Sequence, residues 1–246
     1  MTTRFAWTTV VVAAAATLMA TAGYAKTFKW SSASDIPTLD IHSQNNALGN
    51  GVHASVYESL VYYNSKTFKP EPQLATAWKL ISPTQMRFTL RSGVKFSDGS
   101  VMTPEDVIFS INRSMAKTSN SAVFAQGIDK VVKVDANTID IMLKGPNPVL
   151  LNQLTELRIM SKAWAEKNKS VEPKDIRTSE ESFAHRNAMG SGPYMVKEWQ
   201  PDQRLVLVAN PNYWGKNPTN VTEILYTPIK SAPTRIAALL SGETDF

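Results

Sequence analysis

The chain has 246 residues, a formal net charge of +5, 43% apolar and 19% charged residues, and no cysteine. Without cysteine there is neither a disulfide framework nor a thiol to carry an N-terminal lipid, so a domain of this size rests on its core. Lys and Arg are dispersed among Asp and Glu rather than gathered in a stripe, which argues for a solvated surface and against a nucleic-acid-binding face.

Residues 1–25 read as an export signal. Arg4 charges the start, residues 10–22 are almost wholly small and apolar, and Gly23-Tyr24-Ala25 puts small residues at both key positions of a cleavage site. The apolar run is short for a membrane span, which needs roughly 20 residues. A strand over 28–30 opens the mature body and residues 36–40 turn out of it. A helix over 48–60 follows, with Val52, Val56 and Leu60 on one face, and then a strand over 61–63 ending in the polar turn at 64–66. Residues 78–81 and 86–90 flank Ser82-Pro83-Thr84-Gln85, a hairpin pattern. Thr103-Pro104-Glu105-Asp106 is a helix start with Asp106 in the capping-box position, and Val107, Ile111 and Met115 continue an apolar face.

Residues 131–134 and 138–143 form a second hairpin pattern around 135–137, and residues 194–199 and 204–208 a third across 200–203. Between them, 167–186 is polar and reads as a surface excursion with a short helix. A strand over 224–229 and a helix over 233–240 complete the pass. Hairpins and helices mix without a regular βαβ alternation, so the class is mixed α/β.

Little points to catalysis. There is no Gly-x-Ser-x-Gly elbow, no His-Glu-x-x-His helix and no cysteine nucleophile. Gly190-Ser191-Gly192 lacks the following helix with a Lys-Ser/Thr pair that a phosphate cradle needs. Glu105 and Asp106 sit in a helix's first turn, where they complement the dipole. His42, His53 and His185 are scattered without metal-ligand spacing, and Trp30, Trp78, Trp164, Trp199 and Trp214 lie mostly in strand or hairpin patterns where aromatics serve the core.

Two places invite a ligand. Residues 43–47, Ser-Gln-Asn-Asn-Ala, lead into a helix start, where backbone N–H groups and side-chain amides suit an extended polar ligand; the same asparagines also suit a turn and a helix cap. Arg158, flanked by apolar residues in a strand pattern, needs an anionic partner. A ligand carboxylate and a structural pair with Glu156 both fit.

Five blocks in fixed order carry a resemblance: Thr38-Leu39-Asp40, Tyr57-Glu58-Ser59-Leu60, residues 88–113, Gly190-Ser191-Gly192-Pro193-Tyr194, and residues 239–245. Together they resemble the peptide/nickel class of periplasmic substrate-binding proteins of ABC importers, the dipeptide- and oligopeptide-binding family 5. Ile41 departs from the proline that relatives often carry after the aspartate. The resemblance implies a class II, two-lobed, mixed α/β architecture. Residues 1–25 would be the signal, 26–50 the first part of lobe I, 51–186 an inserted hairpin-rich subdomain and 187–246 the continuation of lobe I, with the chain ending before lobe II. It implies a non-enzymatic, periplasmic protein without cofactor or resident metal that closes over a small solute and docks on an inner-membrane ABC permease. A peptide is the first expectation for the solute, with a nickel chelate, an opine or an oligosaccharide also open. In oligopeptide-binding relatives the matching loop meets the ligand backbone, which implies Asn45, Asn46 and Ala47 as ligand-binding here, with Arg158 at a matching cleft position. The alternatives are a half-protein that binds little, a periplasmic chaperone and an exported hydrolase.

Overall fold

The computed structural model describes residues 26–178, 180–217 and 219–246, so the expected export signal over 1–25 lies outside the described residues. The chain runs through β1 (Lys26–Ser32), α1 (Ala47–Val56), β2 (Glu58–Ser59), β3 (Val61–Asn64), β4 (Lys69–Pro72), β5 (Ala75–Ser82) and β6 (Gln85–Leu90). Next come α2 (Pro104–Ser114), α3 (Ala122–Ala125), β7 (Ile128–Lys133), β8 (Thr138–Leu143), α4 (Leu150–Leu154), β9 (Arg158–Ile159) and α5 (Lys162–Lys167). A 3-10 turn (Ile176–Thr178) leads to α6 (Phe183–Arg186), β10 (Tyr194–Gln200), β11 (Arg204–Ala209), β12 (Val221–Pro228) and α7 (Ala232–Ser241).

Two four-stranded sheets organise these elements. One has the order β1-β12-β11-β10, with β1 parallel to β12 and the other neighbours antiparallel. The other, β5-β6-β8-β7, is antiparallel throughout and is built from the first two expected hairpins. Each sheet has its own apolar cluster. Phe88, Phe96, Ile111, Ile139 and Ile141 pack in the one beside β6 and β8, and Leu39, Val52, Val56, Leu205, Leu207 and Tyr226 in the one beneath α1. Burying each such side chain contributes roughly 1.5–3 kcal/mol.

α2 starts as its sequence implies. Asp106 Oδ2 accepts the Thr103 N–H at 2.8 Å and the Thr103 hydroxyl at 2.9 Å, while Oδ1 accepts the Lys162 N–H at 2.8 Å. The capping carboxylate therefore also holds the start of α5, a link between α2 and α5 that no local pattern contains.

The helix expected over 48–60 is shorter. α1 stops at Val56 because the Val56 carbonyl, which a further turn would need, accepts the Gly192 N–H at 2.9 Å. Tyr57 turns extended at φ −119 and ψ 154, and Glu58 and Ser59 pair with Ile159 and Arg158. Leu60 consequently packs in the cluster beside β6, away from Val52 and Val56.

Glu58, 0% exposed, marks this junction. Its Oε2 accepts the Ser191 hydroxyl at 2.8 Å and its carboxylate accepts Trp214 Nε1–H at 2.9 and 3.1 Å. The Arg91 guanidinium lies 3.9 Å from the Trp214 ring centre. Burial pushes the Glu58 carboxyl up from 4.5 to about 7, against the pull of the Trp214 and Ser191 hydrogen bonds. An acid raised in the fold keeps its proton between those values while the unfolded chain has lost it, so stability falls as pH rises from about 4.5 to about 7. Glu58→Gln should flatten that limb, on the order of 3 kcal/mol between pH 5 and pH 8. Urea unfolding at the two pH values checks this; an unchanged slope in the variant would show that Glu58 does not carry it.

Candidate functional site

The loop between β1 and α1 is held by buried polar groups. Arg113, on α2, reaches Asp40 with both ends of its fork, Nη1 to Oδ1 at 2.7 Å and Nη2 to Oδ2 at 2.6 Å, each side chain 1% exposed. Its Nε–H also donates to the Ser170 and Val171 carbonyls. Burial alone would raise the Asp40 carboxyl, but the Arg113 bonds and charge outweigh it and hold the group at about 2. Asp40 Oδ1 accepts the His42 N–H, and Asn120 and Ser119 donate to the His42 carbonyl. The loop leaves β1 already clamped.

Hydrogen-bond chemistry assigns the two buried histidines. Arg113 Nη1 lies 2.9 Å from His42 Nδ1, and a guanidinium has no acceptor, so Nδ1 accepts and the ring proton sits on Nε2. That Nε2 is buried with no partner among the described residues. Burial, and then the Arg113 charge, pushes His42 down to about 3. Gln44 Nε2 lies 3.0 Å from His53 Nδ1, so that nitrogen accepts as well, and His53 Nε2–H donates to the Thr38 carbonyl at 3.1 Å. Burial and the nearby Arg158 charge hold His53 at about 4. Both rings are neutral at ordinary pH.

Asn45, Asn46 and Ala47 are exposed at the start of α1. Asn46 is the helix cap, its Oδ1 accepting the Gly49 N–H at 2.7 Å, and Asn45 Oδ1 accepts the Asn50 side-chain amide at 3.0 Å. The amides of Ala47 and Leu48 take no partner among the described residues. These are first-turn N–H groups, at the positive end of the helix. Arg158, on the two-residue strand β9, approaches from the other side. Its Nη2 donates to the Asn50 carbonyl at 3.4 Å, and its nearest carboxylate, Glu156, stands 3.8 Å away. Burial lowers the Arg158 pKa against the pull of Glu156. The guanidinium, with its side chain 13% exposed, thus forms a long ion pair with Glu156, its one carboxylate neighbour within 4 Å among the described residues. Arg158 and Asn45 thus both meet Asn50, Arg158 at its carbonyl and Asn45 at its side-chain amide.

Sequence reading passed over Gln44, Asn50 and His53 as site-forming groups, yet one signal was available: Asn46, Asn50 and His53 stand at i, i+4 and i+7 and so share a helix face. Among the described residues no group of three His, Asp or Glu side chains is arranged to hold a metal. The tryptophans are engaged by the protein. Trp30 packs on Tyr226, Trp199 donates to Asp35, and Trp214 donates to Glu58.

Over 197 residues the chain is 30% identical to the probable D,D-dipeptide-binding periplasmic protein DdpA of Escherichia coli K12, covering 77% of this chain and 36% of the relative. Over 235 residues it is 26% identical to the periplasmic oligopeptide-binding protein OppA of the same organism, covering 86% of this chain and 41% of OppA. The chain therefore spans about two-fifths of the length of these relatives. Among solved structures it matches MoaA of A. tumefaciens R10, a periplasmic binding protein in complex with mannopinic acid, with a TM-score of 0.79 and 27% identity, covering 90% of this chain and 44% of MoaA. That likeness bears out the mixed α/β, periplasmic-binding-protein-like fold. The model of bacterial extracellular solute-binding proteins, family 5 Middle, matches residues 69–246. With the ordered sequence blocks leading the same way, this chain belongs to the family 5 bacterial extracellular solute-binding proteins.

Proposed function

We propose that the chain supplies part of a periplasmic solute-binding protein that closes over a small solute and delivers it to an ABC permease, without performing chemistry on it. The observations that carry this reading are the Arg158 guanidinium, held among the described residues by the Asn50 carbonyl at 3.4 Å and a long ion pair with Glu156 at 3.8 Å, and the unpartnered first-turn amides of α1. A cationic fork and a helix N-terminus both suit a carboxylate, and the exposed Asn45, Asn46 and Ala47 would meet the solute's backbone. The names of the relatives, for oligopeptide, D,D-dipeptide and mannopinic acid, favour peptides or opines bearing a carboxylate. In this reading the β1-β12-β11-β10 sheet belongs to one lobe, the β5-β6-β8-β7 sheet is the inserted subdomain, and the leader at 1–25 exports the whole.

Arg158→Ala should weaken binding of a carboxylate-bearing peptide by about 10- to 100-fold, the loss of one charge-assisted hydrogen bond. Trialanine titrated calorimetrically into the full-length protein checks it, with trialanine amide as the control that should bind weakly to both forms. Equal affinity of the variant and the parent for trialanine would remove Arg158 from the site. A second reading, that residues 1–246 alone hold little solute, is favoured by the open apolar face of α7, where Ile236, Leu239 and Leu240 are exposed. Under it, trialanine would bind the longer protein and leave the 246-residue chain unaffected.

A further inference from the structure

Beneath the loop at 45–47 lies a side chain that the solute would not touch. Gln44 is 1% exposed and uses both ends of its carboxamide. Oε1 accepts the Asn46 N–H at 2.7 Å, and Nε2 donates to Asn50 Oδ1 at 2.9 Å and to His53 Nδ1 at 3.0 Å. Asn50 passes the constraint outward, since its Nδ2 holds Asn45 and its carbonyl takes Arg158. The carboxamide lies against α1 only because residue 49 is glycine: a Cβ there would sit 2.7 Å from Gln44 Cδ and Oε1.

The orientation of this carboxamide is set from below. A reversed Gln44 would turn its oxygen toward two acceptors, Asn50 Oδ1 and His53 Nδ1, and its NH₂ toward the Asn46 N–H. The ring of His53 is fixed in turn, because the Thr38 carbonyl requires the proton on Nε2. Each group has one arrangement in which every donor meets an acceptor, and that arrangement fixes the exposed loop. The titratable groups around the His53 ring are the Arg158 guanidinium, which disfavours a second proton, Asp40, which favours one, and the neutral His42 ring, while the Tyr57 ring meets it edge-on at 6.0 Å.

We propose that Gln44 is the positioning residue of the solute site, its carboxamide, oriented by the acceptor nitrogen of His53, holding Asn45, the first turn of α1 and Arg158 in the arrangement that receives a solute carboxylate. This rests on the solute-binding reading above, but its structural half is tested without any solute. Two variants and two readouts suffice.

Heteronuclear NMR of the full chain should find the parent His53 ring with its proton on Nε2 and neutral down to about pH 4. Gln44→Glu puts an acceptor against Nδ1, so that the imidazolium form can donate to both the new carboxylate and the Thr38 carbonyl. Its titration midpoint should then move to about 6 or higher. Gln44→Ala should shift the amide resonances of residues 45–48 and 50 and the Nε–H of Arg158, while amides around Phe88 in the other cluster stay in place. A His53 that titrates alike in the parent and Gln44→Glu, or loop amides unmoved in Gln44→Ala, would overturn the proposal.

Trialanine binding to the full-length protein is the second readout. Gln44→Ala should weaken it about tenfold, as expected for the loss of one buried hydrogen-bond hub. Unchanged affinity would also overturn the positioning role. If the parent protein takes up no carboxylate-bearing peptide, the solute reading falls, and the ring and amide signatures by themselves decide whether Gln44 sets the loop.

Discussion

Arg113→Ala should cost about 3–5 kcal/mol of folding stability, the range for breaking a buried ion pair from one side. The variant leaves Asp40 buried without its cation and removes the donors to Asp40, His42 and the Ser170 and Val171 carbonyls. The pair joins the loop after β1 to α2, across 73 residues of sequence, so its loss should loosen the loop as well as lower the unfolding midpoint.

The pH dependence identifies the mechanism. In the parent, Asp40 is depressed from 3.8 to about 2, so its contribution is present above about 3.8 and is lost as pH falls through about 2. In the variant the buried carboxyl has lost the charge that held it down, so its pKa rises and it takes up a proton in mild acid. The difference in stability between parent and variant should therefore be larger at pH 7 than at pH 4. Urea unfolding at both values measures it. A deficit that is the same at the two pH values would mean that lost packing, rather than the stranded Asp40 charge, carries the effect.

Gly190→Ala should be comparably severe, for a steric reason. A Cβ at residue 190 would lie 2.1 Å from the Val56 carbonyl oxygen and 2.9 Å from the Tyr57 ring. The first obstacle is backbone and cannot swing aside. It is also the carbonyl that ends α1 by accepting the Gly192 N–H, so relief of the clash requires moving the turn at 190–192 off the helix. Moving that turn would also draw Ser191 away from Glu58. Overpacking of this kind costs about 1–3 kcal/mol and occasionally more, the upper end applying where the obstacle is backbone, and the expected result is a lower melting temperature together with loss of the Trp214 environment, readable by tryptophan fluorescence. Gly145→Ala, where a Cβ meets nothing within 4 Å, serves as the control and should melt within a degree or two of the parent. A Gly190→Ala protein that melts with the parent would show that the turn adapts without cost.

Local chemistry made much of the chain readable. Ser82 to Gln85 turns a hairpin because β5 and β6 offer paired extended runs on either side, and the structure pairs Ser82 with Gln85. Thr103 and Pro104 start α2 because a capping side chain and a residue without an N–H suit a helix's first turn. The family blocks were likewise visible in order. The end of α1 was not, since Val56 and Leu60 keep helical spacing and nothing local says that a glycine turn more than a hundred residues later will take the Val56 carbonyl.

The same division runs through the site. Asn46 declared itself as a cap by type and place. Arg158 announced a need for a partner, but sequence could not tell a solute carboxylate from Glu156, and geometry shows that Glu156 makes a long ion pair with it at 3.8 Å. Gln44 looked like one more loop residue until its burial and its three partners were seen.

By itself, then, the sequence determined the hairpins, the start of α2 and the mixed α/β class, because these depend on periodicity, capping and turn chemistry within a few residues, while its ordered blocks carried the resemblance to the family. Tertiary structure alone decided which buried polar groups meet: Asp40 with Arg113, Gln44 with His53, and Glu58 with Ser191 and Trp214, the last pair 156 residues apart. The reason is physical. A buried donor or acceptor must find its partner wherever folding delivers one, and local periodicity carries no record of which distant segment that will be.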